Sequence, residues 1–234
     1  MATINGKKVL EFLVDGMDNP LPNWFKPFGH PYVSDSKKFV VLDAQFGSAG
    51  KDRNWPNDVI PLAYVPNNIN CVLMDNENCV VISSQFSGCL MAAFTYKGSE
   101  PALNKDQRYV CHIAVEDRAN GNECETVFLK AIDKKEISNC IIFNPAAIVP
   151  IMQRKMFTKV ADGLGYTVNF ISDVYGLISS DNECFSFIVG KKKDSGRFHV
   201  LSVVKWASDG SVGLVYSINL NLNPLLEQPK AKTL

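Results

Sequence analysis

Short apolar segments separated by turn-forming residues run through most of this chain, and they constrain its fold more than any other feature. In the first half the segments are Lys38–Asp43, Val59–Val65, Ile69–Met74, Cys79–Ser83, Cys89–Tyr96 and Arg108–Glu116. Turn sequences such as Pro66-Asn67-Asn68 lie between them, which is typical of β-strands with tight connections. In the last third the strand candidates are Tyr166–Ile171, Tyr175–Ser179, Cys184–Val189, Phe198–Trp206 and Ser211–Leu220.

Two segments are predicted to be helices. Asn122–Lys134 carries acidic residues early and lysines late, an order that suits the helix dipole. Pro145–Asp162 is predicted to be helical because apolar residues recur at helical spacing, at Ile148, Ile151, Met152, Met156 and Val160. Strands and helices together predict one α+β domain over residues 1–234, with a strand-rich core of packed sheets.

The chain ends are predicted to lack regular structure. Residues 1–35 are rich in proline, glycine and asparagine, so we expect irregular chain there, apart from a short element at Val9–Val14. The tail at 222–234 is expected to be flexible. The run Lys191-Lys192-Lys193 is expected to be a solvated hairpin tip rather than a phosphate site.

The composition is that of a soluble protein with a real core. Hydrophobic residues make up 46% of the 234 residues, and charged residues make up 21%. A formal net charge of zero argues against nonspecific binding to nucleic acids or to membrane surfaces. No apolar stretch reaches the roughly 18–20 residues that span a bilayer. The N-terminus lacks a Sec signal pattern, so we expect synthesis in the cytosol, with export only by a route that removes no signal peptide.

Seven cysteines stand at positions 71, 79, 89, 111, 124, 140 and 184. Their number is odd, no C-x-x-C is present, and the three histidines are scattered, so neither a disulfide framework nor a zinc site is expected. Most of the cysteines lie in apolar runs, where a thiol packs as a small hydrophobic group. We expect neither a metal nor a cofactor.

One cysteine is followed by a histidine at hairpin distance. Cys89 ends the sequence Phe86-Ser87-Gly88-Cys89, and His112 lies 23 residues later on the next predicted strand. A hairpin closing around residues 100–101 would place Cys89 directly opposite His112, with Cβ atoms about 4.5–5.5 Å apart. A thiol beside an imidazole can become a nucleophilic thiolate. Cys111 would then face away from this pair.

Three further residues complete the predicted site. Gly88 would let a substrate carbonyl approach the backbone, and N–H groups near Gly88 and Cys89 would hold a developing oxyanion. Ser83 and Ser87 would add hydroxyl groups. The residues leave two other classes open: a cysteine peptidase or acyltransferase, and a non-enzymatic binding protein in which Cys89 and His112 only pack in the core.

The same residues resemble the signature of the glutamine deamidase toxins, a Leu-Ser-Gly-Cys motif followed by a histidine on a strand. The family includes the catalytic domain of cytotoxic necrotizing factor and Burkholderia lethal factor. The resemblance covers roughly residues 83–113, where Val110-Cys111-His112-Ile113 matches the histidine strand. Phe86 replaces the family's leucine, and the interval from Cys89 to His112 is longer than in the family.

The resemblance implies a β-sandwich with flanking helices and a thiol mechanism. Cys89 would attack a glutamine side-chain amide of a host protein, and His112 would serve as general base. Ser83 stands six residues before Cys89, where the lethal-factor type has a threonine near its site. With a primary amine in place of water, the same thioester would give transglutamination.

The resemblance also implies a setting for this chemistry. The protein would be a secreted bacterial effector or toxin, made in the bacterial cytoplasm and acting in the host cytosol as a monomer. Family precedents for the substrate are small GTPases and a translation factor.

Overall fold

The computed structural model describes residues 3–4, 6–25, 39–41, 55–75, 77–115, 123–207, 212–217 and 232–233. Three α-helices are present there, α1 (Val9–Asp18), α2 (Glu123–Asp133) and α3 (Ile151–Gly163), with a short 3-10 helix at Pro145–Ile148. The strands are β1 (Thr3–Ile4), β2 (Lys7–Lys8), β3 (Phe39–Val41), β4 (Val59–Leu62), β5 (Ile69–Leu73), β6 (Val80–Ser84), β7 (Leu90–Tyr96), β8 (Arg108–Ile113), β9 (Ile137–Phe143), β10 (Tyr166–Thr167), β11 (Val174–Ser179), β12 (Cys184–Lys192), β13 (Phe198–Trp206), β14 (Val212–Ser217) and β15 (Lys232–Thr233).

Two large sheets form the core, as the strand pattern predicted. One sheet has the order β14-β13-β12-β11-β6-β4, with β10 beside β12, and the other has the order β15-β9-β7-β8-β5-β3. Most neighbours are antiparallel, but β3 runs parallel to β5 and β4 runs parallel to β6. Both sheets are therefore mixed, and the predicted α+β class with a strand-rich core and flanking helices is confirmed.

The sheets bury three apolar layers, because alternate residues of a strand point to opposite faces. In β6, Val81 belongs to the layer between the sheets, whereas Val80 and Ile82 belong to the layer under α1. A third layer lies on the outer face of the other sheet, where Phe128 of α2 packs against Phe94 of β7. Each sheet is thus covered on both faces.

The prediction for the N-terminal segment is wrong in part, because α1 is a full helix. Its buried residues Val9, Phe12, Leu13 and Gly16 lie at helical spacing and form one face. Contact with the outer face of β13 and its sheet stabilises this face although a glycine lies within the helix. Residues 26–38 of the same predicted segment lie outside the described residues.

The second predicted helix is divided. Pro150 follows the short 3-10 helix, and α3 begins directly after it, because a proline cannot donate the backbone hydrogen bond that would continue a helix. In α3, Phe157 and Ala161 are buried, whereas Ile151, Met152 and Met156 are exposed. No described helix has both the length and the apolar character needed to cross a membrane.

The predicted flexible tail falls mostly on residues that the structure does not describe. Its residues Lys232 and Thr233 form β15 and pair with Ile142 and Ile141 of β9. The edge of β9 offers backbone hydrogen-bonding groups to such an added strand. The flexibility of the tail stays a prediction.

Gly176 of β11 allows a close contact between the sheets, next to the residues discussed below. A Cβ atom at this position would lie 2.6 Å from Met91 Sδ and 2.8 Å from Pro145 Cγ. We predict that Gly176→Ala lowers the free energy of unfolding by about 1–3 kcal/mol, the usual cost of overpacking. Urea unfolding measures the change. Gly88→Ala is the matched control: its Cβ would meet nothing within 4 Å, so a comparable loss there would contradict the steric explanation.

Candidate functional site

The motif predicted to hold the nucleophile is one of the segments by which the chain passes from one sheet to the other. It joins the end of β6 in the seven-stranded sheet to the start of β7 in the six-stranded sheet. Gln85 opens the crossing with a φ of 70°, a left-handed conformation that costs a non-glycine residue roughly 1–2 kcal/mol. Phe86 then enters the inter-sheet layer, and Cys89 follows in the same layer.

His112 lies on β8 and faces the interior. It pairs with Met91 of β7 on one side and with Asn70 of β5 on the other, and none of its surface is exposed. The Phe86 ring stacks on the imidazole with centroids 4.2 Å apart and planes 6° apart, and the Tyr64 ring lies 5.2 Å away. Aromatic contacts therefore fix the plane of the imidazole.

Ser83 fixes the imidazole within that plane. Its Oγ lies 2.8 Å from His112 Nδ1 and 2.6 Å from the carbonyl oxygen of Leu62. A carbonyl oxygen only accepts, so the single hydroxyl proton of Ser83 is donated to Leu62, and Nδ1–H of His112 donates to Ser83. Nε2 is then the unprotonated nitrogen. It is buried and has no hydrogen-bond partner among the described residues.

Burial also sets the charge of His112. Loss of solvation lowers the pKa of the imidazole to about 3, because no carboxylate among the described residues compensates a buried imidazolium. At neutral pH the side chain is therefore a neutral base with a free lone pair on Nε2. An unmet buried acceptor costs about 1–3 kcal/mol, which calls for a functional explanation.

Cys89 lies immediately before β7 and is almost fully buried, with 3% of its surface exposed. Burial raises the pKa of its thiol, and the backbone N–H groups of Val115, Gly88 and Cys89 itself oppose that shift without cancelling it. The Val115 N–H donates to Sγ at 3.4 Å. The thiol is thus protonated at rest, but backbone donors already surround the position where a thiolate would form.

The predicted register of the hairpin that carries Cys89 and His112 is wrong, because the loop is centred one residue later than predicted. Met91, not Cys89, lies opposite His112, because Tyr96 pairs with Gln107 and the loop closes around residues 101–102. Asp106 adopts a φ of 64° and donates its backbone N–H to Tyr96, which the sequence pattern did not show. Cys89 moves to the diagonal position, on the same face as His112 and within reach of a long side chain.

No hydrogen bond joins Cys89 Sγ to the imidazole among the described residues. Sγ instead accepts a hydrogen bond from the backbone N–H of Val115, and Nδ1 of His112 is engaged by Ser83. The structure thus brings the two predicted residues onto one face and into one layer. They are not directly opposite each other, since Met91, two residues after Cys89, occupies that position. An ion pair of thiolate and imidazolium is not present, since both groups are neutral.

The other three predicted residues take different places. Ser83 is wholly buried, and its hydroxyl is engaged by Leu62 and His112, so it orients the imidazole and is not open to a ligand. Ser87 is exposed. Gly88 borders open space on its Cβ side, so a substrate would meet the backbone beside Cys89 without obstruction.

Sequence reasoning missed three residues around the imidazole. Asn70, directly opposite His112, donates from Nδ2 to the carbonyl oxygen of Ala63 at 2.9 Å. Together with the bond from Ser83 to Leu62, it holds the segment that carries Tyr64 against the imidazole. The asparagine inside the apolar segment Ile69–Met74 was the available signal for this contact. Nothing in the sequence indicated that the rings of Tyr64 and Phe86 contact the imidazole.

Cys111 faces the opposite side of β8, as predicted. It pairs directly with Cys71 of β5 in the layer under α2, and its burial together with the neighbouring Cys71 thiol raises its pKa well above the ordinary range. All seven cysteines are buried free thiols. In the part of the chain that the structure describes, no group of three His, Cys, Asp or Glu side chains is placed to hold a metal ion.

Comparisons with known proteins returned no matching family model, no matching curated protein and no matching solved structure. The resemblance to glutamine deamidase toxins therefore depends on the motif residues alone.

The low pKa of His112 predicts a specific loss of stability in acid. The unfolded chain binds a proton on this residue below about pH 6.5, whereas the folded protein does so only below about 3, so stability present above pH 6.5 is lost as pH falls. Between pH 7.5 and pH 5 the expected loss is about 2 kcal/mol. Urea unfolding at both values should show a much smaller change in His112→Gln. Both proteins in this comparison carry His199→Gln, because burial lowers the pKa of His199 as well. An equal loss of stability with and without His112 would contradict the assignment of the acid effect to His112.

The Ser83 contact predicts the tautomer of His112. Nitrogen NMR of the imidazole at pH 7 should show protonation on Nδ1, and Ser83→Ala should remove that preference and lower the free energy of unfolding by about 1–3 kcal/mol. Ser83→Thr keeps the hydroxyl and should retain the tautomer. An Nε2-protonated imidazole in the unaltered protein would show that the donor and acceptor assignment is wrong.

Proposed function

We propose that this protein is a secreted bacterial effector that deamidates a glutamine side chain of a host protein, with Cys89 as nucleophile and His112 as general base. The observation that carries the proposal is the buried Nε2 lone pair of His112, held in a fixed tautomer and facing the same layer as Cys89. The motif around Cys89 supplies the reaction class. A small GTPase or a translation factor is the proposed substrate class, by family precedent.

The proposed reaction begins with a neutral pair. Sγ of Cys89 attacks the side-chain amide carbon of glutamine as its proton passes to Nε2 of His112, so no preformed thiolate is needed. The carbonyl oxygen becomes an oxyanion. The tetrahedral adduct then expels ammonia, which takes the proton from Nε2, and a thioester remains.

Water completes the cycle. His112 takes a proton from the water that attacks the thioester carbon, and the adduct releases Sγ, which regains its proton from Nε2. The products are glutamate and the free thiol. The N–H groups of Gly88 and Cys89, which already lie near Sγ, are the proposed donors to the oxyanion; one such donor is worth about 2.7–4 kcal/mol in other enzymes.

The burial of the pair defines what substrate binding must do. No hydrogen bond joins Sγ to Nε2 among the described residues, so binding has to bring them together, and the approach lies over exposed Ser87 and the open side of Gly88. The Phe86 ring, which follows the strained Gln85, is the element whose movement would open this side. Such closure on substrate is common where a site must exclude water.

The same burial favours a second candidate, a binding protein without catalytic activity. In that case Cys89 and His112 are core residues, and the hydrogen bond from His112 to Ser83 serves only to join the sheets. The two candidates differ in their products, not in the fold.

The deciding experiment measures conversion of glutamine to glutamate in host-cell lysate proteins by mass spectrometry. We predict that the unaltered protein converts a discrete site, and that Cys89→Ser and His112→Ala each reduce the rate by at least about 100-fold, the usual contribution of such groups. Cys111→Ala is the matched control, a neighbouring buried cysteine on the other face, and should retain activity.

Circular dichroism and urea unfolding establish that each variant is folded before its activity is compared. Conversion that is the same with Cys89→Ser, or that is lost only with Cys111→Ala, would show that the assignment of Cys89 is wrong. No conversion by the unaltered protein, with all variants folded, would favour the binding protein.

A further inference from the structure

The outward face of α3 exposes apolar residues that a helix in a soluble protein normally buries. Met152 is 95% exposed, Ile151 is 72% exposed and Met156 is 47% exposed. Only Phe157 and Ala161 of this helix are fully covered by the core. Since Met152 and Met156 are four residues apart, they lie next to each other along one side of the helix.

Two lysines lie on the same side. Lys155 and Lys159 are exposed, and at 3.6 residues per turn they project between Ile151 on one flank and Met152 and Met156 on the other. The α3 face is therefore a mixture of long apolar and long cationic side chains. It differs from an ordinary amphipathic helix, whose apolar residues face the core.

The hairpin between β12 and β13 extends this face with more positive charge. Lys193 pairs with Asp162 of α3 at 2.5 Å, and Lys192 donates to the carbonyl oxygen of Leu164. The lysine run is thus not merely a solvated tip, since two of its members pack against the end of α3. Residues 150–171 and 190–197 carry seven cations and two anions, although the whole chain is neutral. We call the exposed residues Ile151, Met152, Lys155, Met156, Lys159, Lys191 and Arg197 the α3 surface.

The uneven distribution of cations removes the argument against binding to anionic surfaces that was drawn from the zero net charge. A neutral chain that gathers its cations on one side can bind an anionic surface with that side. Four to eight lysines and arginines on or beside a helix are typical of contact with anionic lipid headgroups. Among the cations here, Lys155, Lys159 and Lys191 are exposed and have no ion pair among the described residues.

The mixture of side chains favours a bilayer over a protein or a nucleic acid. The centres of protein interfaces are poor in lysine, and burying the α3 surface against a protein would enclose Lys155 and Lys159 between Ile151 and the two methionines. Nucleic-acid phosphates would engage the lysines but leave Met152 and Ile151 in water. At a bilayer surface, methionine and isoleucine enter the acyl boundary while lysines extend to the headgroups.

We propose that the α3 surface docks this protein on a bilayer that carries anionic headgroups. The apolar residues enter the interface, and the lysines of α3 and of the adjoining hairpin pair with the headgroups. The surface holds neither Cys89 nor His112, so docking and catalysis are separate properties, and docking would set where the protein acts.

Vesicle co-sedimentation tests the proposal, with the full chain carrying Cys89→Ser so that no reaction interferes. We expect binding to vesicles of phosphatidylcholine with phosphatidylserine, and little binding to phosphatidylcholine alone. Lys155→Glu with Lys159→Glu should weaken binding by at least about 30-fold, as two headgroup contacts would. Met152→Ser with Met156→Ser should also weaken vesicle binding. This loss should persist at every salt concentration, because it removes apolar contacts and leaves the charges unchanged.

The matched control is Lys130→Glu with Lys134→Glu, an exposed pair with the same spacing at the end of α2. This pair makes the same change in charge elsewhere and should leave binding within about threefold, since screening limits distant charges. Equal weakening by both pairs, or no binding to the anionic vesicles at low salt, would overturn the proposal. Retention on immobilised polyglutamate or RNA without vesicle binding would overturn it too, in favour of an acidic protein or a nucleic acid.

Discussion

The hydrogen bond between Ser83 and His112 crosses the interior of the sandwich, and the candidate site depends on it. Ser83 belongs to one sheet and His112 to the other, and both lie in a layer that is otherwise largely apolar. The hydroxyl donates its hydrogen bond to the carbonyl oxygen of Leu62, so the direction of the bond to the imidazole is determined by a backbone carbonyl. A single main-chain contact thereby decides which nitrogen of His112 is basic.

The same arrangement explains why the pair is neutral. Apolar packing by Phe86 and Tyr64 holds the imidazole in place, but it also removes the water that would stabilise a charge. A thiolate–imidazolium pair would need both charges in this layer, and its desolvation would outweigh much of the attraction. In the proposed reaction the proton moves only as the sulfur attacks, which would avoid that cost until the substrate's own polar groups are present.

Local patterns predicted elements better than they predicted contacts. The charge order of Asn122–Lys134 gave α2 within a residue at each end, because a helix dipole is a property of the segment itself. The Cys89–His112 pairing failed by one residue at the loop centre, since Asp106 in a left-handed conformation lengthens one side of the hairpin. The Ser83–His112 bond joins residues 29 positions apart across two sheets, and no local pattern encodes such a contact.

Helix α3 shows why periodicity alone does not identify a buried face. The stripe of Ile151, Met152 and Met156 predicted a helix, yet in α3 Phe157 and Ala161 supply the core contacts and the stripe is exposed. The exposed methionines therefore contribute little to the core. Exposed apolar residues that the fold does not use, set among unpaired lysines, are better explained by contact with another surface than by packing within the chain.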